Sequence, residues 1–236
     1  MNSKPLTFLL DLVFPKKCAG CRKVGSYFCP DCIKNIKQGD LICPFCTKPA
    51  IGGATHPICR RKFGLDGLWS LGMYSYPLKN AIQKLKYKFI EELSSILVDI
   101  TIDYWINYQP FILEKIKKDR GVGWAITSVP LYWIRQNWRG FNQAEALGEA
   151  LALKLGIPYF DLLKRTKATK TQARLSALDR KQNVKHAFSL ASDKTLATSQ
   201  LILVDDVWTT GSTLKECCFI LKKNGAKVVW ALTIAR

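Results

Sequence analysis

Apolar positions in the last third of the chain change period in an orderly way. A continuous run, Leu201 to Val204, is followed by a polar turn, then by apolar residues three and four apart, then by a second run, Val228 to Ile234. A continuous run predicts a strand buried on both faces, as in a parallel sheet. Leu214, Cys217, Cys218 and Leu221 predict one buried helix face, with Lys215, Lys222 and Lys223 turned outward and Asn224-Gly225 as the stop. Residues 201–236 therefore read as a strand, turn, helix and strand unit. Trp124 to Val129 predicts another buried strand, closed by Pro130. Asn142 as cap, Glu145 at the capping-box position, a face of Ala144, Leu147, Leu151 and Leu155, and Gly156 as stop predict a helix after it. Further back, Leu68 to Tyr76 predicts one or two edge strands, Pro77 opens a helix through Ala81, Ile82 and Leu85, and a long helix covers about 91–108. Lys115, Lys117 and Lys118 read as an exposed connection after Gln109-Pro110, and residues 164–188 carry the least pattern. The fold class is α/β, a mainly parallel sheet flanked by helices.

The first sixty residues follow a different rule. Seven of the nine cysteines lie there, as Cys18-x-x-Cys21, Cys29-x-x-Cys32, Cys43-x-x-Cys46 and His56-x-x-Cys59. Such knuckles let one tight turn offer two ligands to a tetrahedral metal, and zinc is the usual occupant. Eight ligands make two structural zinc sites, with every position filled by protein and none left for a catalytic water. Spacing leaves two pairings open. Sequential pairing gives Cys18, Cys21, Cys29 and Cys32 at one site and Cys43, Cys46, His56 and Cys59 at the other; crossed pairing joins the first knuckle to the third. A module this small draws its folding energy from the metals. The expected division is a zinc module with a short amino-terminal helix over 1–62 and a larger domain over 63–236.

Thirty-six basic and eighteen acidic residues leave a net charge of +18, which favours polyanionic partners. No sequence-reading nucleic-acid motif accompanies it. Leu6 to Phe14 is short and broken by Asp11, and the apolar stretch 93–106 carries Asp99 and Asp103, so neither reads as a leader or a membrane span. The expectation is a soluble, cytoplasmic protein with reduced thiols.

Asp205 and Asp206 stand at the carboxyl end of the first apolar run, the edge where open α/β sheets bind ligands. Thr209, Thr210, Gly211, Ser212 and Thr213 follow, offering hydroxyls, backbone N–H groups and one residue free to take positive φ ahead of a helix. Acids for two ribose hydroxyls beside a cup for one phosphate describe a ribose 5-phosphate held at both ends. A Walker loop is excluded, because the turn holds no lysine and no Gly-x-x-x-x-Gly-Lys. The run of apolar strand, two acids, an apolar residue and Thr-Thr-Gly-x-Thr resembles the signature of type I phosphoribosyltransferases.

The resemblance extends further. The Phe-Pro-x-x-Cys-x-x-Cys start, Leu85-Lys86-Tyr87, Val129-Pro130-Leu131, Arg139 to Glu145, Gln172 with Leu175, and Arg180 to Asn183 together resemble the ComF family. That family implies a double zinc ribbon joined to a type I phosphoribosyltransferase domain, with members linked to DNA uptake in natural competence. It implies phosphoribosyl pyrophosphate and magnesium as ligands and loss of pyrophosphate through an oxocarbenium-like transition state. In this sequence Asp205 and Asp206 would hold the ribose hydroxyls, directly or through magnesium, and Thr209 to Thr213 the 5-phosphate. Ser128, Val129 and Pro130, with Arg135 or Arg139, would take the pyrophosphate; Asn142, Gln172, Arg180 and Asn183 complete the expected set. Two positions depart from the family pattern: His56 stands where cysteine is usual, and Trp208 is bulky beside the two acids.

Glutamine hydrolysis is not expected, since the early cysteines are committed to metal and the chain starts Met-Asn-Ser-Lys. The acceptor of the phosphoribosyl group is not written in any motif. The competing expectation is a non-catalytic adaptor that senses the sugar phosphate and touches single-stranded DNA or a competence helicase through its zinc module and basic surface. Trp133 and Trp138 beside Arg135 and Arg139 permit base stacking there.

Overall fold

The computed structural model describes residues 15–85, 90–118, 123–132, 140–167, 177–191 and 200–236. The amino-terminal helix, Lys86-Tyr87, Trp133, Arg135, Trp138, Arg139, Gln172 and Leu175 lie outside the described residues. Four strands make the central sheet: β1 (Gly67–Gly72), β2 (Trp124–Ser128), β5 (Gln200–Val207) and β6 (Val228–Ala235), in the order β1-β6-β5-β2. Every pair is parallel. The expected edge strand is β1, which stops at Gly72. On the far side of β2, residues 158–160 add a short bridge, with Ile126 N donating to Pro158 O and Phe160 N to Ile126 O.

Residues Leu201 to Val204 are fully buried, as their unbroken apolar run requires. Alternate side chains enter opposite layers: Ile202 and Val204 join one core, Leu201 and Leu203 the other. The first core is closed by α2 (Leu78–Lys84), α3 (Ile90–Tyr108) and α5 (Gln143–Leu155). The second is closed by α7 (Ser212–Lys223) and by the antiparallel pair β3 (Leu163–Arg165) and β4 (Phe188–Leu190). The α5 boundaries follow the sequence expectation: Asn142 Oδ1 accepts from Ala144 N, and Gly156 takes a left-handed conformation at φ 64°.

Three expectations are corrected. Lys115, Lys117 and Lys118 do not form an exposed connection; they lie in the last turn of α4 (Pro110–Lys118), where cations suit the helix dipole and Ile116 is buried. Lys222 does not face solvent. Its side chain is 7% exposed and its ammonium lies 2.7 Å from Asp66 Oδ2. Within 164–188, the stretch that carries the least pattern, order comes from β3, β4 and α6 (Ala177–Val184); β4 and α6 pack on α7, and β3 pairs with β4.

The cysteine-rich segment packs into the same core. Its helix α1 (Pro30–Lys34) and Cys18, Ala19, Phe28 and Ile36 join Trp69, Leu71 and Leu78. Asn80 Nδ2 donates to Gly20 O, Lys84 Nζ to Cys18 O, and Trp69 Nε1 to Gly52 O. Among the described residues, no helix is long and apolar enough to cross a membrane.

Candidate functional site

Two four-ligand clusters settle the question of pairing. Cys18, Cys21, Cys29 and Cys32 bring their sulfurs together, as do Cys43, Cys46 and Cys59 with a His56 nitrogen; within each cluster all ligand atoms lie within 4.8 Å of one another. The pairing is sequential. Tetrahedral zinc at about 2.3 Å from each sulfur sets neighbouring sulfurs about 3.8 Å apart. The Cys18–Cys32 and Cys21–Cys29 separations are both 3.6 Å, close to that edge and far too long for a disulfide bond. His56 fits as the eighth ligand. Its Nδ1 lies 3.4 Å from Cys46 Sγ, and its Nε2 is 3.0 Å from Pro49 O. An N–H at Nε2, donated to that carbonyl, leaves the Nδ1 lone pair for the metal. The thiols also strain against one another. Burial pushes Cys18 up, but backbone N–H groups of Cys29, Cys21 and Gly20 bring it down to about 6. Burial and its thiol neighbours push Cys32 up to about 12 despite the Tyr76 hydroxyl. Four thiolates at this spacing call for a cation among them. Cys217 and Cys218 belong to the core instead; both are fully buried on α7, and burial lifts Cys218 to about 12.

At the carboxyl ends of the parallel strands lies the second constellation. β5 continues through Asp205 and Asp206, both half-buried, to Val207. The parallel register places Ser128 of β2 against Val204, and Val129 N donates to Val204 O at 2.9 Å. The Ser128–Pro130 segment is thus carried beside the two acids. Asn142 ties it to α5: Nδ2 donates to Val129 O at 3.1 Å while Oδ1 caps the helix.

After Val207 the chain turns sharply into α7. Trp208 N donates to Ala235 O, which anchors the turn to the end of β6. Gly211 has φ +69° and lies under the Trp208 indole, so a side chain there would meet the ring. This accounts for the bulky Trp208: the ring is 3% exposed and floors the turn. Thr210 Oγ1 and Ser212 Oγ are hydrogen-bonded at 2.8 Å, and Ser212 and Thr213 already belong to the first turn of α7. Thr209 is exposed. Asn183 is half-buried on α6, which packs against α7, and Arg180 lies on the same helix.

Two residues at this edge escaped the sequence reading. Lys215, expected to face outward, folds back so that Nζ lies 3.4 Å from Thr210 O and 5.2 Å from the Trp208 ring centre. The lysine absent from the turn itself is thereby supplied by the helix; its position one turn after Gly211 was the available signal. Tyr159 is hydrogen-bonded through its hydroxyl to Ser128 Oγ at 2.7 Å. Burial, with the charges of Glu145, Asp161 and Glu149, pushes the Tyr159 hydroxyl up, so it stays protonated across the working pH range. Nothing in the Pro158–Tyr159 sequence signals a contact thirty-one residues back.

Residues 142–236 match the family described as Phosphoribosyl transferase domain, and residues 9–61 match Double zinc ribbon domain. The chain is 34% identical over 227 residues to Competence protein F of Haemophilus influenzae, covering 93% of this chain and 90% of that protein. The chain belongs to the ComF family. This ComF chain is also 33% identical to the DNA utilization protein YhgH of Escherichia coli K12, covering 94% and 98% of the two chains. Competence protein ComFC of Streptococcus pneumoniae is 25% identical, with 91% and 90% covered. Both ComF modules are therefore present: zinc ribbons with their ligand clusters, and a type I phosphoribosyltransferase domain built on the parallel sheet.

Proposed function

We propose that this ComF chain binds phosphoribosyl pyrophosphate with magnesium and transfers its phosphoribosyl group, with loss of pyrophosphate, in the service of DNA uptake or use. One observation carries the proposal: paired carboxylates, a hydroxyl-rich turn with Lys215 folded onto it, and the Ser128–Pro130 segment share one sheet edge. Asp205 and Asp206 fit the ribose diol, and Thr209 to Thr213 with Lys215 fit the 5-phosphate. Ser128 to Pro130, with Arg135 or Arg139, fit the pyrophosphate. Asn142 and Tyr159 hold that segment in place. Gln172, Arg180 and Asn183 complete the proposed set. Carboxylate oxygens are the hard donors that suit magnesium, which keeps most of its water and substrate ligands; when bound, it neutralises charge on the departing pyrophosphate.

No nucleophilic side chain is required. The bond from C1 to pyrophosphate oxygen breaks, the leaving group keeps the electron pair, and a lone pair of the acceptor forms the new bond to C1. The side chains contribute by holding the reactants in line and offsetting developing charge. Calorimetry with phosphoribosyl pyrophosphate and millimolar magnesium on zinc-loaded protein tests binding. Asp206→Asn, an isosteric change whose folding is checked by thermal melting, is expected to weaken it by tenfold or more, because a neutral amide loses a charge-assisted bond to the diol. Absence of any heat in the parent protein would overturn the proposal. Binding without pyrophosphate release for any nucleobase, alongside salt-sensitive DNA binding, would instead establish the adaptor reading.

A further inference from the structure

A groove runs from the start of α7 to Cys59 of the second zinc cluster, between the two sites. Its volume is about 620 Å³, within the range of roughly 300–1,000 Å³ typical of small-molecule pockets. One wall is the outer face of α7, with Phe219 one turn after Lys215 and Glu216; the other is Pro44 and Phe45 of the ribbon and the strap Arg61, Lys62 and Phe63. Thr210 and Ser212 close one end. Asp205, Asp206 and Ser128 take no part in the lining, so the groove leads away from the diol end of the proposed sugar site.

The lining has a definite chemistry. Phe45 is 51% exposed and Phe219 37%, unusual exposures for phenylalanine. Phe63 meets Phe219 edge to face at 5.4 Å. Cations are interleaved with these rings: the Arg61 guanidinium lies 4.7 Å from the centre of Phe45, and Lys62 Nζ 5.3 Å from that of Phe63. Arg61 is held in place by donating to the carbonyls of Ile58 and Arg60. Lys215 adds a third positive charge. The one carboxylate in the lining, Glu216, is engaged by the backbone N–H of His186 at 2.8 Å. Aromatic faces beside several cations suit a planar base joined to phosphate. The bounded volume suits one such unit.

We infer that this groove binds a nucleoside 5′-phosphate, its base on Phe45 and Phe219 and its phosphate on Arg61, Lys62 and Lys215. The second ribbon then acts as one jaw of a ligand site, and its zinc keeps Phe45 opposite α7. This inference goes beyond the sugar-diphosphate reading and shares Thr210, Ser212 and Lys215 with it, but neither of the two acids nor Ser128.

The test is calorimetric titration of adenosine 5′-monophosphate into zinc-loaded protein, with zinc content measured for each variant. Saturable binding is expected, weakened about fivefold or more by Phe219→Ala and by Phe45→Ala, since stacking on one aromatic ring contributes roughly 1–3 kcal/mol. Phe219 is carried by α7 and belongs to neither ribbon, so its variant keeps the test decisive if Phe45→Ala loses zinc. Asp206→Asn is expected to leave this binding unchanged while weakening the sugar diphosphate, which separates the two proposals. No saturable binding at millimolar nucleotide, binding undiminished by both variants, or binding of an oligodeoxynucleotide without the mononucleotide would each overturn the inference.

Discussion

Replacing Gly211 with alanine isolates what the turn after β5 requires. Two costs are superimposed there. The backbone has φ +69°, where an L-residue pays roughly 1–2 kcal/mol relative to the right-handed region. In addition, the new Cβ would come closer than 3.0 Å to several atoms of the Trp208 ring, and that ring is buried, hydrogen-bonded through its backbone to Ala235, and covered by Lys215. Moving a packed ring to admit a methyl group costs about 1–3 kcal/mol. Together they predict a loss of about 2–5 kcal/mol for Gly211→Ala. Gly156 supplies the control. Its φ is +64°, nearly the same, but nothing lies within 4 Å of its would-be Cβ, so Gly156→Ala carries the backbone cost alone. The two variants should therefore differ by about 1–3 kcal/mol, which at about 2–4 °C per kcal/mol for a chain of this size is resolvable by thermal melting of zinc-loaded protein.

A double-mutant cycle makes the reasoning refutable. Trp208→Ala removes the obstructing ring, so adding Gly211→Ala to it should cost no more than Gly156→Ala does in the parent protein. If the second substitution costs as much without the ring as with it, the ring is not the obstacle, and the account of why Trp208 tolerates its position beside the acids fails. The same variants carry a functional readout. If the turn holds the 5-phosphate as proposed, Gly211→Ala should weaken binding of the sugar diphosphate, because Thr210 and Ser212 shift with the turn; Gly156→Ala should not.

The two ligand clusters predict two zinc ions per chain for the parent; His56→Ala is expected to retain about one, whereas His56→Cys, which restores a fourth thiolate at the same spacing, should retain both, and metal analysis after dialysis checks this. Equal zinc content in the alanine variant would remove His56 from the ligand set. Lys222→Met should destabilise by about 3 kcal/mol, measured by denaturant unfolding, because it leaves Asp66 without its cation at a site where the lysine is almost fully buried. Asp66 Oδ2 also accepts from Val229 N, so the double variant with Asp66→Asn should recover part of the loss. No recovery would mean that the ion pair is not what Lys222 contributes.

Local chemistry was legible in the chain, and long-range contact was not. The strand, turn and helix around Asp205 could be read because each part is written in adjacent residues: an unbroken apolar run, a glycine for the positive φ, and a three-and-four spacing on α7. The zinc clusters could be read for the same reason, down to their eight ligands, while their pairing could not, because two pairings place the same knuckles around two metals. What periodicity could not supply was the other half of each contact. Lys222 and Lys215 lie on the polar side of α7 by any helical projection; one is buried because Asp66, from the strap after the ribbons, comes to meet it, and the other folds onto the protein because the turn before it presents Thr210 O. Tyr159 reaches Ser128 only because residues 158–160 align beside β2. The lysines of α4 suggested a loop because charge dominates their composition, yet Ile116 anchors the helix among them. The cysteine-rich segment is the largest case. Its metals would suffice to fold a free-standing module, but Phe28 and Ile36 enter the core that holds Trp69, and Thr55 N donates to Asp66 O. Asp66 then binds both the start of β6 and Lys222 of α7, the helix that begins at the turn after β5. Ribbon and turn are thereby fixed to one another through one half-buried carboxylate, so loss of metal from the second cluster should be felt at the turn after β5 as well as in the ribbon itself.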